Sequence, residues 1–288
     1  MQPLSEQFEL DTRAGKPAKD PSATIWRWLQ YAMVALAFGF LYLPIVLLVI
    51  LSFNESHSFG LPLKGFTLQW YREVLGNAAI MTSLKNSLIL GCASAAISVA
   101  LALTLALGFR ANFPFKGLLL QTVLVPIVVP GVVGGVVLLL AFGYVGLPFG
   151  LFSTVLIAHV NWCLPFAFLT LYPRLHNFDK GIEEAARDLG ASSATVFWRI
   201  ILPIVRPGII ATLLFSFTLS FDEFVRTIFV IGSESTLPIR LWAIVTEQAQ
   251  PFLPALGVLT MFITIFISLV GQAIAAKSAT RNGSMKSQ

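Results

Sequence analysis

Apolar positions in this chain come in long uninterrupted blocks rather than in short periodic stretches. Trp28 to Phe53 and Asn86 to Phe109 hold no charged residue, and Gly117 to Pro173 contains no Asp, Glu, Lys or Arg. A helix needs about 20 residues to cross a hydrocarbon core, so the first two blocks predict one span each. The third predicts two, joined by a tight hairpin at Tyr144 to Gly150. Pro207 to Ile231 and Phe252 to Ala276 supply a fifth and a sixth. The expected spans are 28–53, 86–109, 117–143, 151–172, 207–231 and 252–276, within one domain over 25–276. Polar tails, 1–24 and 277–288, flank it. Asn54 to Met81, with a short surface helix at Leu68 to Leu75, and Gly232 to Pro251 are the expected external segments.

The loop 173–206 breaks the pattern. Between Asp179 and Pro203 it gathers Asp179, Lys180, Glu183, Glu184, Arg187, Asp188 and Arg199. Ile182, Ala185, Ala186 and Leu189 stand at i, i+3, i+4 and i+7, which predicts a short amphipathic helix with Asp179 as its N-cap and Gly190 as its stop. A second short helix, Ser193 to Ile201, is expected to end before Pro203. Periodicity alone leaves two readings of this wedge: it rests on the membrane surface, or it docks on a partner.

Smaller patterns refine the spans. Ser94, Ser98, Ala102 and Ala106 recur every fourth position and allow another helix to approach closely. Gly131 and Gly135, following Pro126 and Pro130, form a G-x-x-x-G packing pattern in the third span, which is expected to be kinked. In the fourth, His159 and Asn161 read as satisfied packing groups.

Composition agrees with the blocks. With 56% hydrophobic and 11% charged residues, and a mean hydropathy of +0.81, the chain is an all-α integral membrane protein with six transmembrane helices. Its charge of +5 does not indicate nucleic acid, because the basic residues are dispersed over short loops. Of the 19, 14 lie in the N-terminal tail, the turn at Arg110 to Lys116, the 173–206 loop and the C-terminal tail. Lys64, Arg72, Lys85, Arg226 and Arg240 make up the other set. Positive residues collect inside, so both termini and the wedge are expected in the cytoplasm. Cys92 and Cys163 sit in apolar runs, with neither disulfide nor metal-ligand spacing.

Candidate chemistry is sparse. There is no phosphate-binding G-x-x-x-x-G-K-[ST], no H-E-x-x-H, no G-x-S-x-G, and the three histidines lie in separate segments. The chain is therefore expected to be no enzyme and to bind no cofactor, and transport powered by a partner fits better. Asp222, Glu223 and Arg226 interrupt the fifth span, Asp222 lying ~22 Å along a helix begun at Pro207. A carboxylate facing a wet cavity attracts an ammonium group, and Trp162, Phe221 or Phe224 would add cation–π contacts there. Arg226, four residues after Asp222, either neutralises it or serves a substrate that bears both charges.

The wedge also carries a gapped motif. Glu184-Ala185-Ala186, Gly190, Ile200, Leu202 and Pro203 stand as EAA-x3-G-x9-I-x-LP, which resembles, position for position, the cytoplasmic signature of inner-membrane permeases of bacterial binding-protein-dependent ABC importers. Leu41 to Asn54, Phe66 to Tyr71, Cys163 to Phe168, the run from Glu184 and Ser216 to Phe224 are similar to the spermidine/putrescine branch of that family. The resemblance implies a type I (MetI-like) importer permease fold with cytoplasmic coupling helices in a bacterial inner membrane. It further implies that Glu184, Ala185, Ala186, Gly190, Ile200, Leu202 and Pro203 couple the chain to an ATPase. The implied partners are a second homologous permease, two ATPase subunits holding ATP-Mg, and a periplasmic or extracellular solute-binding protein docking on the external segments. A polyamine is the implied solute, with a zwitterionic amine, amino acid or opine as the alternative. A secondary transporter is opposed by the absence of an inverted repeat.

Overall fold

A computed structural model describes residues 21–56, 63–247 and 250–284, with side chains assigned between Ile25 and Ile274. The expected tail over residues 1–20, its basic residues, His57 and the last four residues lie outside the described residues. All regular structure among the described residues is helical, apart from one isolated antiparallel bridge between Asn54 and Phe66. Five helices are long and apolar enough to cross a membrane, six if one bent pair counts as a single span.

The chain divides into two units, 1–51 and 52–288. The first consists of helix α1 (Pro21–Ser52), whose apolar side chains from Ile25 onward face outward almost throughout. A lipid environment accommodates such an apolar surface.

In the second unit a short surface helix α2 (Gln69–Gly76) precedes α3 (Ala78–Gly108). The α3 helix starts at Ala78 and not at Asn86, because Asn77 caps it: the side-chain oxygen accepts the backbone N–H groups of Ala79 (3.1 Å) and Ile80 (3.2 Å). Ser94, Ser98, Ala102 and Ala106 are all completely buried where α3 meets α6 (Leu156–His176) and α9 (Leu202–Phe221). Lipid tails are as apolar as leucine, so this core is held by close packing and buried hydrogen bonds more than by exclusion from water.

The third expected span is a bent pair. Helices α4 (Lys116–Val128) and α5 (Gly131–Val145) meet at 105°. Pro130 lacks an N–H and forces Val129 into extended backbone, φ −71° and ψ 124°, so the helix stops and restarts where a milder kink was expected. The close approach predicted from Gly131 and Gly135 is present, and its partner is the segment after Asp222. A side chain on Gly135 would collide with the Phe229 ring, and one on Gly131 would meet Val225 at 3.1 Å. A π-helical turn, Leu151–Val155, leads into α6.

Beyond α6 come α7 (Lys180–Asp188) and α8 (Ser193–Val196), then a π-helical turn, Phe197–Ile201, which leads without interruption into α9. The second short helix therefore does not end before Pro203. In the π-helical turn before that proline the Leu202 N–H reaches back five residues to the Phe197 carbonyl, so the proline is accommodated inside a single 193–221 helix. The fifth span was expected to run to Ile231, yet α9 ends at Phe221. Residues 222–226 form a break before α10 (Thr227–Val230). Two more helices complete the unit: α11 (Leu237–Glu247) and α12 (Leu253–Ser284), the latter continuing past the expected limit at Ala276.

Candidate functional site

Two features stand out: the charged segment 179–203 and the break after Phe221. In the first, Asp179 Oδ1 accepts the Gly181 N–H at 2.9 Å and opens α7. Gly190 closes it with φ +86°, a left-handed conformation that costs glycine nothing. The Ala191 N–H then reaches the Ala186 carbonyl (3.0 Å) and the Gly190 N–H that of Arg187 (2.8 Å), a Schellman pair that satisfies two carbonyls at the helix end.

The apolar stripe on α7 does not close over the chain's own core. Ala186 packs against the buried cluster around Phe109, Phe168 and Leu175, as do Ala191 and Ile200. Leu189 is instead 90% exposed and Ile182 42%, with Glu184, Ala185 and Pro203 also exposed and Leu202 half-buried. An isolated surface leucine needs no explanation, but this one sits on a capped, charged helix with Glu184 and Ala185 beside it. Glu183 points elsewhere. Its carboxylate meets Arg110, and both side chains are nearly buried.

In the second feature one of the two alternatives for Arg226, neutralisation of Asp222, is not what the structure shows. Asp222 and Arg226 do not share a helical face, because α9 has ended and Asp222 is its C-cap. Arg226 is held by Glu223: the backbone N–H donates to Oε1 at 2.8 Å and Nη1 to Oε2 at 3.3 Å. That local bond offers the backbone an alternative to continuing the helix and explains the break. The Arg226 guanidinium also lies over the Trp162 ring, 3.7 Å from its centroid. Arg226 is 4% exposed and Glu223 8%. Pairing and the cation–π contact together make this charge tolerable at depth. Asp222 is exposed and forms no salt bridge among the described residues. Phe221, expected near the solute, is buried and stacks on Phe217, so it is a packing residue.

Behind the break runs a hydrogen-bond chain that sequence reasoning missed as a unit. Thr227 Oγ1 donates to the Glu223 carbonyl at 2.7 Å, which spends its only proton. His159 Nε2, 2.8 Å from the same oxygen, must then be the donor, leaving Nδ1 to accept from Ser220 Oγ at 2.7 Å. Ser94 in turn donates to Ser220 at 2.6 Å. The network thus assigns His159 as the neutral Nε2–H tautomer. Ser94 and His159 stand 126 and 61 residues from Ser220, and no local signal links the three. Among the described residues no group of three His, Cys, Asp or Glu is placed to hold a metal ion.

Comparison with known proteins follows the same lines. The sequence pattern of the family described as binding-protein-dependent transport system inner membrane component matches residues 96–281. The spermidine/putrescine transport system permease protein PotC of Shigella flexneri is 33% identical over 261 residues, covering 90% of this chain and 98% of that protein. The putrescine transport system permease protein PotI of Escherichia coli (strain K12) is 33% identical over 244 residues, covering 82% and 85%. Among solved structures, a bacterial ABC transporter involved in import of the acidic polysaccharide alginate superposes with a TM-score of 0.72 at 16% identity, over 90% of this chain and 99% of that one. At that identity the likeness concerns the fold alone.

Proposed function

Because the chain belongs to the family of binding-protein-dependent transport system inner membrane components, a permease of the ABC importer class, we propose that it imports a small polyamine of the spermidine or putrescine type. The observation that carries the solute class is the one-third identity, over nine-tenths of the chain, to a permease named for those solutes. In this reading Glu184, Ala185, Ala186, Gly190, Ile200, Leu202 and Pro203 form the coupling segment. Leu189 and Ile182 add the apolar anchors of its exposed face. A separate ATPase holding ATP-Mg docks there, in two copies, beneath this chain and a second homologous permease. A binding protein delivers solute from the opposite side, and both termini lie in the cytoplasm.

Asp222 is the free acid of the pathway. A carboxylate is unfavourable at a helix C-terminus, where the peptide dipoles already present negative charge, so the site is poised for a cation. An ammonium group supplies it. Arg226 offers nothing to a substrate carboxylate, since Glu223 and Trp162 already engage its guanidinium and it is almost wholly buried. That favours a polyamine over an amino acid or opine.

Uptake of labelled putrescine, with spermidine and zwitterionic amines as competitors, tests the assignment. Asp222→Asn is expected to lower uptake about tenfold, the equivalent of ~1.4 kcal/mol of attraction, with membrane levels of the chain unchanged. Normal uptake by this variant would remove Asp222 from the pathway. Competition by zwitterions alone would overturn the polyamine reading.

A further inference from the structure

The two adjacent glutamates of α7 point in different directions. Side chains on a helix turn by about 100° per residue, and here the result is that Glu184 is exposed while Glu183 is turned inward onto Arg110. The same guanidinium lies 5.8 Å from the ring centroid of Phe178, which immediately precedes the Asp179 cap. Arg110 thus grips both the entry to α7 and its first turn. It stands two residues beyond the end of α3, next to Phe109, whose ring is buried against Phe113, Phe168 and Tyr172.

What α3 reaches at its other end gives the grip a purpose. Sixteen residues back, ~24 Å along a helix, Ser94 donates to Ser220, two positions before Asp222. Between these ends Ser98, Ala102 and Ala106 are fully buried, so on the face that packs against α6 and α9 there is little room to absorb a displacement. A push on α7 is therefore carried by α3 as well as by the two helices that flank the coupling segment in the chain.

We propose that Arg110 is a positioning residue for transport: its bond to Glu183 transmits the movement of the coupling helix to α3, and through Ser94 to the break at Asp222. This rests on the coupling role proposed above for α7. Glu184 holds the ATPase, whereas Glu183 passes the motion on.

The assembled importer, with its ATPase and binding protein, is reconstituted in proteoliposomes, and solute uptake and ATP hydrolysis are measured on the same vesicles. Arg110→Gln and Glu183→Gln are each expected to retain the bound ATPase and continue hydrolysis, while uptake per ATP falls about tenfold. The exchanged pair, Arg110→Glu with Glu183→Arg, is expected to recover to within about threefold of wild type. Arg110→Lys, which keeps the charge but loses the planar fork, is expected to fall between. Unchanged uptake per ATP in the single variants would overturn the proposal. So would loss of the ATPase from Glu183→Gln to the degree seen for Glu184→Lys, or an exchanged pair no better than either single variant. If the single variants do not accumulate in the membrane, the exchanged pair and Arg110→Lys decide the matter on the same ratio. A wild-type importer that binds the ATPase but ignores polyamines counts against the solute alone. Stimulation of hydrolysis by the loaded binding protein then replaces uptake as the readout. A wild-type chain that binds no ATPase counts against the coupling role itself.

Discussion

Importers carrying Glu184→Lys or Gly190→Val are expected to take up no solute above background, although the altered chain reaches the membrane in normal amount. Gly190 stands at φ +86° with open space around the position where a side chain would begin, so the penalty there is conformational and not steric. A left-handed backbone costs an ordinary residue ~1–2 kcal/mol, and a β-branched one more. The Schellman pair from Gly190 and Ala191 would be sacrificed to relieve it, and α7 would leave at a different angle. Gly190→Asn, which tolerates that conformation, should retain most of the uptake. Glu184→Lys leaves α7 intact and reverses the charge it presents to the ATPase.

Leu189 supplies the apolar part of the same contact. Burying a leucine side chain contributes ~1.5–3 kcal/mol, so Leu189→Ser should weaken ATPase retention at least about tenfold. Co-purification of the ATPase, read beside uptake, checks all four. Wild-type uptake by Glu184→Lys or Gly190→Val would sink the coupling assignment.

The second large effect concerns stability. Arg226→Ala is expected to lower the amount of folded chain sharply, because Glu223 would remain as an uncompensated charge in a nearly dry site. Breaking a buried pair from one side costs ~3–5 kcal/mol, a large fraction of the ~5–15 kcal/mol by which a folded domain is stable. The guanidinium also fills the space over Trp162 and beside Gly131 and Gly134, so its loss leaves a void as well. Replacing both partners, Arg226→Met with Glu223→Gln, removes the charge problem and should recover most of the loss. Thermal unfolding in detergent and membrane abundance give the answer. A chain with Arg226→Ala as stable as wild type would show that the pair carries no structural load.

Much of this is legible in the sequence. Uninterrupted apolar blocks can only be satisfied in lipid, where the backbone must close its own hydrogen bonds, so an all-helical multi-pass fold followed from composition and block length. The ends of α7 are equally readable: a capping aspartate and a left-handed glycine act through neighbours two to five residues away. The EAA-x3-G-x9-I-x-LP spacing marked the same segment independently.

Where local rules competed with packing, the reading failed. Arg226 stands four residues after Asp222 and three after Glu223, and a continuous helix favours the first pairing. The second won because the Glu223 carboxylate captures the Arg226 N–H and ends the helix. Pro203 reads as a stop but is absorbed by the π-helical turn before it, while Pro130, which reads as a kink, produces a 105° break. Only the folded chain brings Ser94, His159, Ser220 and Thr227 within hydrogen-bond distance, and only there does Glu183 turn toward Arg110. Sequence by itself determined the class, the apolar blocks that become helices and the two ends of α7, because lipid and local capping act on each stretch separately. Tertiary structure alone decided which charge is paired and which is free, since a buried ion takes whichever partner packing places within reach.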